Sequence, residues 1–305
     1  MRLDIGWSDL ASALLGCAVS GVAAAHARRV EELWSQAGDA IACLSVRTGL
    51  DLFLRARELP PGSEVLTSAL TIPDMARILE LHGLVPVPVD LDPATLAPDP
   101  EELRARCTPR TRAVLVAHLF GGCISLDPVM ELARERELLV LEDCAQAFAA
   151  DGWTGHADSD VTMFSFGTIK TATALGGGLL RVRDAGTLER MRRFQADYPL
   201  QPRNTFLLRA LRTCFLQVLT QPSVFGAFFR LFPITHRDLD AVLHGAVRGF
   251  AGRNLSAAIR HRPSAPLLAL IERRLRTYGP ERIHARVSTA RRVARLLPDG
   301  ARIPG

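Results

Sequence analysis

The chain has 305 residues, of which 48% are hydrophobic, and its net charge is +5. The charged fraction of 23% is close to the average of soluble globular proteins, and no internal repeat or low-complexity tract is visible. These values exclude an array of small modules and favour one large domain with a smaller partner.

Short apolar runs alternate with helical patterns between residues 40 and 185. The predicted strands are 40–45, 64–68, 84–89, 113–117, 138–142, 161–166 and 178–182, and the predicted helices between them are 50–57, 73–82, 99–106 and 126–137. Continuous apolar runs separated by helices are typical of a buried sheet covered on both faces. The sequence therefore predicts an α/β fold with a mixed, mostly parallel sheet, whose ligand sits at the carboxyl ends of the strands.

After Asp184 the strand pattern fades, and helical patterns cover 187–197, 206–232, 238–247 and 267–297. A boundary near Gln201 and Pro202 divides the chain into a large domain, 1–200, and a mostly helical C-terminal region, 201–305. The apolar stretch 10–25 is predicted to be a packing helix that opens near Ser8 and Asp9, not a signal peptide. No apolar run is long and pure enough to span a membrane.

Lysine and arginine total 37, and a single one of them, Lys170, is lysine. GC-biased codon usage explains the 36 arginines. An amine can lose its proton and condense with an aldehyde, whereas a guanidinium stays charged. Lys170 is therefore a candidate for a position that arginine cannot fill.

The charge is unevenly spread along the chain. Residues 241–305 carry +10, which leaves −5 on the preceding 240 residues. A solvated, arginine-rich helix face is the favoured interpretation, while a diphosphate, an acidic partner or nucleic acid are the alternatives. No nucleic-acid-binding motif accompanies the basic region. The six cysteines lack metal-ligand spacing, which predicts free thiols, no metal and a reducing cytoplasm.

Three predicted strand ends carry the groups that pyridoxal phosphate (PLP) chemistry needs. One strand runs into Asp143 with Gln146 three residues later, another runs from Ser165 into Lys170, and the third begins with glycines 176–178. A lysine amine holds the cofactor aldehyde as an imine, a carboxylate keeps the pyridine nitrogen protonated, and hydroxyl and backbone N–H groups bind the phosphate. Each of these residues alone fits an ordinary structural role.

Six motifs in register resemble the DegT/StrS-type (DegT/DnrJ/EryC/StrS) sugar aminotransferases. They are residues 62–65 (GSEV), 69–71 (ALT), 107–113 (CTPRTRA), 118–121 (HLFG), 142–147 (EDCAQA) and 165–170 (SFGTIK), followed by the glycines at 176–178. The resemblance covers roughly residues 40–185. It implies the large domain of a fold-type-I PLP enzyme, a homodimer, and amino transfer from Glu or Gln to a keto sugar, which is nucleotide-linked.

The resemblance also assigns roles residue by residue. Lys170 would form the imine with PLP and then move the proton. Asp143 would pair with the pyridinium nitrogen, Gln146 would lie against the ring or its 3-hydroxyl, and Ser165 would bind the phosphate. His118 is expected to be structural.

Several positions depart from the family pattern. Arg47 lies where a small phosphate-binding turn is usual, Ile72 replaces the aromatic residue that stacks on the ring, and Ala251 replaces an Asn that reaches the partner's phosphate, with Asn254 nearby. Residues 204–236 form a Phe-rich helical insert, expected at a dimer interface, with a lid or a membrane-surface patch as the alternatives. Members of the family continue for several tens of residues beyond the position that matches residue 305. The resemblance therefore implies that the small domain is incomplete in this sequence.

Three rival interpretations remain open. A non-catalytic homologue with a regulatory or scaffolding role is motivated by Val46, Arg47, Ile72 and the short C-terminus. A sugar dehydratase of this fold carries His in place of the lysine, and Lys170 argues against it. A membrane- or nucleic-acid-binding module would rest on the basic C-terminal region and predicts salt-sensitive binding.

Overall fold

A seven-stranded sheet lies at the centre of the molecule. The computed structural model describes residues 3–19, 21–221, 223–224 and 254–298. The strands are β1 (Ala40–Cys43), β2 (Glu64–Ser68), β3 (Val85–Val89), β4 (Thr111–Ala117), β5 (Leu139–Asp143), β6 (Val161–Ser165) and β7 (Gly178–Val182), in the spatial order β1-β7-β6-β5-β4-β2-β3. Only β7 is antiparallel to its neighbours, which confirms the mixed, mostly parallel sheet.

Helices precede, connect and follow these strands. They are α1 (Trp7–Ala18), α2 (Ala23–Trp34), α3 (Val46–Arg57), α4 (Pro73–Leu81), α5 (Pro100–Arg106), α6 (Asp127–Arg136), α7 (Ala185–Ala196), α8 (Arg203–Leu219), α9 (Leu255–Ile259), α10 (Ala265–Thr277) and α11 (Pro280–Ala294). The described C-terminal part, 254–298, has helices as its regular structure, as the sequence predicts. Within the described ranges, no helix is both long and apolar enough to cross a membrane.

Alternation along the strands divides the core between the two faces of the sheet. Leu141 and Val161 pack with the apolar residues of α3, α4 and α7 on one face. Val140 faces the other side and packs with α6. On that second face, Phe164 and Leu179 contribute to a separate cluster with α1, α2, α8 and α10. The helices before and after residue 201 thus share one core.

The sheet topology brings the functional strand ends to one edge. Six of the strands run in the same direction, so their carboxyl ends meet where the antiparallel strand β7 begins. In the register, Asp143 lies opposite Met163 and Ala117, and Gly178 lies opposite both Ser165 and Cys43. The carboxyl ends of β4, β5 and β6 therefore lie next to one another at this edge of the sheet, beside the start of α3.

Several helix boundaries differ from the sequence prediction. The apolar stretch 10–25, predicted to be one helix, is divided between α1, which ends at Ala18, and α2, which begins at Ala23. Helix α3 begins at Val46 rather than at residue 50, because the Ser45 side chain caps it by accepting a hydrogen bond from the Thr48 backbone. The helix predicted over 206–232 ends at Leu219, shortly before Pro222, and Pro disfavours helical backbone in the residue that precedes it. Residues 225–232 and the helix predicted over 238–247 lie outside the described residues.

The helix predicted over 267–297 is instead two helices, α10 and α11. They are separated by Tyr278 and Gly279, and Pro280 opens the second helix, where its missing N–H is tolerated. This break matters for the site, because it places Tyr278 and the first turns of α11 against the N-terminal segment.

A buried carboxylate ties three parts of the fold together. Asp51 of α3 is fully buried and accepts hydrogen bonds from His82, Tyr198 and Arg260 at 2.7–3.0 Å. Burial alone would raise the pKa of Asp51, but these hydrogen bonds outweigh it and hold the pKa well below its usual range. The charged form of Asp51 therefore stabilises the folded state.

We expect Asp51→Asn to lower the free energy of unfolding by about 3 kcal/mol at pH 7, because it leaves a charged network without its anion. A depressed pKa contributes stability above the unfolded value of about 3.9, and this contribution is lost as the pH falls below it. The gap between wild type and variant in urea unfolding should therefore shrink below about pH 4. Asp158→Asn, at an exposed ion pair with Arg134, is the matched control and should change little. An equal effect of both variants would contradict this account.

Candidate active site

Lys170 lies in the turn that follows β6. Its backbone N–H donates to the Gly167 carbonyl at 3.0 Å, and its side chain is partly buried. Burial lowers the pKa of the Lys170 amine; the charge of Asp143 opposes this shift, and that of Arg47 adds to it. A lowered pKa increases the fraction of the neutral amine, which is the nucleophilic form.

Asp143 ends β5, on the sheet face that α3 covers. Burial raises its pKa, while the Ala145 N–H and the charges of Lys170, His118 and Arg47 pull it down. Ala145 donates to Oδ1 at 3.0 Å, and the described residues give Oδ2 no hydrogen bond. Asp143 is partly buried, and a carboxylate oxygen without a donor can accept a hydrogen bond from an N–H group of a bound molecule. Asp143 and Lys170 thus belong to one electrostatic cluster.

Arg47 lies in the first turn of α3 and belongs to the same cluster, since its charge acts on both Lys170 and Asp143. Its Nε donates to Oδ2 of Asp74 at 2.6 Å, and about a quarter of its side chain is exposed. Asp74, in the first turn of α4, was not singled out from the sequence, because an acidic residue there fits simple helix capping.

The end of β6 lies next to the start of α3. Ser165 accepts a hydrogen bond from the Gly167 N–H at 3.3 Å and lies opposite Gly178. A Cβ atom at Gly178 would lie 2.7 Å from the Val46 nitrogen, so glycine is required for this close approach. Of the three glycines at 176–178, Gly178 thus has a local steric reason, and it keeps Ser165 near the N-terminus of α3.

Gln146 and Ile72 lie farther along the same edge. Oε1 of Gln146 accepts a hydrogen bond from the Phe120 N–H at 3.1 Å and so links the end of β5 to the loop after β4. Phe120 has a positive φ of 54° and is strongly exposed. Ile72 precedes α4 as its N-cap and is 41% exposed, which leaves its side chain available to cover a group bound at this edge.

His118 and Glu142 form a fully buried pair behind the edge. Nε2 of His118 lies 3.0 Å from Oε2 of Glu142, and Nδ1 accepts a hydrogen bond from the Ile124 N–H. Oε1 of Glu142 accepts from the His156 N–H, and Cys144 donates its thiol to Oε2. The possible ligand atoms of His118, Glu142 and Cys144 lie within 4.8 Å of one another, but they are already hydrogen-bonded together. These hydrogen bonds satisfy the polar atoms of the cluster within the fold.

The residues at this edge fit PLP. Lys170 supplies an amine with a lowered pKa, Asp143 supplies a partly buried carboxylate that lacks a donor on one oxygen, and Ser165 supplies a hydroxyl near the start of α3. Arg47 adds a positive charge close to the same groups. Ala251 lies outside the described residues, and Asn254 caps α9 through a hydrogen bond from the Ala257 N–H.

A second group of polar residues reaches Lys170 from the far ends of the chain. A cavity of about 580 Å³ is lined by Lys170, by Asp4 of the N-terminal segment, and by Tyr278, Arg282 and Arg286 of the C-terminal part. Sequence reasoning missed Asp4 and Tyr278, because the contacts join residues more than 270 positions apart. The excess of arginine near the C-terminus was the only available signal.

Two known proteins are similar to about half of this chain. GDP-perosamine synthase of Caulobacter vibrioides is 39% identical over 155 residues, which are 50% of this chain and 42% of that protein. The spore coat polysaccharide biosynthesis protein SpsC of Bacillus subtilis is 36% identical over 155 residues, 50% of this chain and 40% of that protein. The chain thus matches less than half the length of these relatives.

One solved structure and one family model complete the comparison. The X-ray structure of the aminotransferase from Psychrobacter cryohalolentis matches with a TM-score of 0.62 at 20% identity, over 90% of this chain and 63% of that one. This likeness shows the fold. The model of the DegT/DnrJ/EryC1/StrS aminotransferase family matches residues 24–200, which include every strand of the sheet and Lys170. The chain belongs to the DegT/DnrJ/EryC1/StrS aminotransferase family.

Proposed function

We propose that the protein is a PLP-dependent aminotransferase that moves an amino group from an amino acid to a keto sugar. The observation that carries the proposal is the cluster of Lys170 and Asp143 at the carboxyl edge of the sheet, where each charge acts on the other. In such an exchange the amino acid becomes a 2-oxo acid and the ketone becomes an amine. No external oxidant or reductant is therefore needed.

The residues at the carboxyl edge of the sheet have different roles in the proposed reaction. PLP, when bound, supplies the electron sink for the reaction. Lys170 would hold the cofactor through Nζ and would move the proton. Asp143 would pair with the ring nitrogen, and Ser165 and the start of α3 would bind the phosphate, with Arg47 adding positive charge. Ile72 would cover the ring, and Gln146 would lie against the ring or its 3-hydroxyl.

We further propose glutamate or glutamine as the amino donor and a nucleotide-linked keto sugar as the acceptor. The names of two relatives support the acceptor, since one is a GDP-perosamine synthase and another a spore coat polysaccharide biosynthesis protein. The cavity beside Lys170 supports it chemically, because two arginines line it and can bind a carboxylate or a phosphate.

We also propose a homodimer in the cytoplasm. Large apolar side chains are exposed at the edge itself, at Leu70, Ile72, Phe120 and Ile169, and along α8, at Leu208, Leu211, Phe215 and Val218. The four on α8 are spaced three and four residues apart and so share one face of that helix. Exposed apolar patches of this kind favour contact with a second chain. All six cysteines are free, which fits a reducing compartment.

An absorbance spectrum tests the proposal. Purified protein incubated with PLP should show a visible absorbance band. Borohydride should remove this band, and addition of the amino donor, either L-glutamate or L-glutamine, should bleach it. Lys170→Ala should lack the band, because no other lysine exists to replace the amine. A wild-type protein without the band would favour a non-catalytic homologue of the same fold.

A further inference from the structure

The cavity beside Lys170 is lined by three separate parts of the chain. Residues 168–170 form one side, the N-terminal segment 3–6 forms another, and Tyr278 with the first turns of α11 closes the third. Arg282 and Arg286 stand four residues apart on α11 and so share one helix face. Both side chains point toward the same carboxylate, that of Asp4.

Four donors converge on Asp4. The Tyr278 hydroxyl donates to Oδ2 at 2.5 Å, and Nη1 of Arg286 and the Ala172 N–H lie 3.4 Å from the same oxygen. Nη1 of Arg282 lies 3.4 Å from Oδ1. Burial and the neighbouring Asp4 charge raise the pKa of Tyr278 to about 12, so the phenol remains a donor at neutral pH. Together these groups recognise an oxyanion.

The arginine contacts differ from those of a structural ion pair in the same region. Arg274 is almost fully buried and donates to Asp9 at 2.6 Å. By contrast, the side chains of Arg282 and Arg286 are 40% and 56% exposed, and their contacts with Asp4 are long. Exposed ion pairs contribute little to stability. The arginine contacts with Asp4 can therefore be exchanged for contacts with another anion.

The backbone of residue 4 is held independently of its carboxylate. Arg274 donates to the Asp4 carbonyl at 2.7 Å, so a rotation of the Asp4 side chain can vacate the position without moving the segment. Arg286 also donates to the Thr171 hydroxyl at 3.1 Å, directly next to Lys170. An anion that replaces the Asp4 carboxylate would thus also lie near the Thr171 hydroxyl, one residue beyond Lys170.

We propose that Tyr278, Arg282 and Arg286 form an oxyanion-binding subsite beside Lys170, and that Asp4 occupies it as an internal carboxylate. A carboxylate or phosphate group of the substrate replaces Asp4 during binding. The proposal relies on the proposed aminotransferase function only for the source of this group, which is either the amino acid donor or the diphosphate of the sugar nucleotide. Asp4 thereby competes with the substrate and sets its apparent affinity.

Calorimetric titration of the full chain, without added cofactor, tests the subsite with two probes, L-glutamate and inorganic pyrophosphate. Asp4→Asn should tighten binding of the relevant probe roughly tenfold, because the internal competitor is lost. Arg282→Gln and Arg286→Gln should each weaken it by about tenfold or more. Arg292→Gln, an exposed arginine on the same helix that lines a separate cavity, is the control and should leave binding unchanged.

The opposite signs distinguish a binding role from a structural one, because a merely destabilising change would weaken binding at every position. The probe that responds identifies the source of the anion. Equal affinity in all variants, or no binding of either probe to Asp4→Asn, would overturn the proposal. Since these titrations need no PLP, they stand apart from the absorbance test, and either result can fail without the other.

Discussion

Replacing Lys170 by arginine should lower kcat by about 10³-fold or more, although the positive charge and most of the side-chain length are kept. The loss follows because a guanidinium neither condenses with an aldehyde nor exchanges a proton near neutral pH. Burial, which lowers the pKa of the Lys170 amine, would act on an arginine without producing a neutral nucleophile. Single-turnover and steady-state measurements with the amino donor and acceptor would quantify the effect.

The uniqueness of Lys170 allows a sharp control. A double variant, Lys170→Arg with Arg136→Lys, keeps one lysine in the chain but moves it to an exposed position on α6. It should be as inactive as the single variant, because the amine no longer lies in the cluster with Asp143. Activity within tenfold of wild type in Lys170→Arg would remove Lys170 from the mechanism.

Replacing Asp143 by asparagine should lower kcat by about 10²-fold, because the ring nitrogen loses the charge that keeps it protonated. It should also change Lys170 in a defined direction. The negative charge of Asp143 raises the pKa of the Lys170 amine, so its removal should shift that pKa further below the ordinary lysine value. The pH dependence of acylation of the Lys170-containing peptide measures this shift.

Arg47→Gln is the matched variant, because it should shift the pKa of Lys170 in the opposite direction to Asp143→Asn. The charge of Arg47 lowers the pKa of Lys170, so its removal should move the acylation midpoint to higher pH. Shifts in the same direction for Asp143→Asn and Arg47→Gln would contradict the electrostatic cluster. Unchanged midpoints in both would do the same, because they would place neither charge near the amine.

Local patterns predicted the sheet with few errors. The strands β2 and β7 match the predicted ranges, since their apolar runs are bounded by turn-forming residues and the sheet is buried on both faces. Asp143, Ser165 and Lys170 could be placed at one edge for the same reason, because the carboxyl ends of parallel strands coincide there. Helix ends were less accurate, since Gly49 in the first turn of α3 weakened the helical pattern.

Contacts between distant parts of the chain could not be read from local patterns. The sequence places Arg47 where a phosphate-binding turn is usual, but its hydrogen bond with Asp74 depends on how α3 and α4 pack. Likewise, the meeting of Asp4 with Tyr278 and α11 requires the N-terminal segment and the C-terminal helices to share a core. The division of the chain near residue 201 stays a prediction.

The most direct test of the central claim is the intact mass of the protein after incubation with PLP and reduction with borohydride. Because Lys170 is the only lysine, the account predicts one reduced cofactor per chain in the wild type. Peptide mapping should place it on residue 170, and Lys170→Arg should carry none. No added mass in the wild type, or the same added mass in both proteins, would contradict the account.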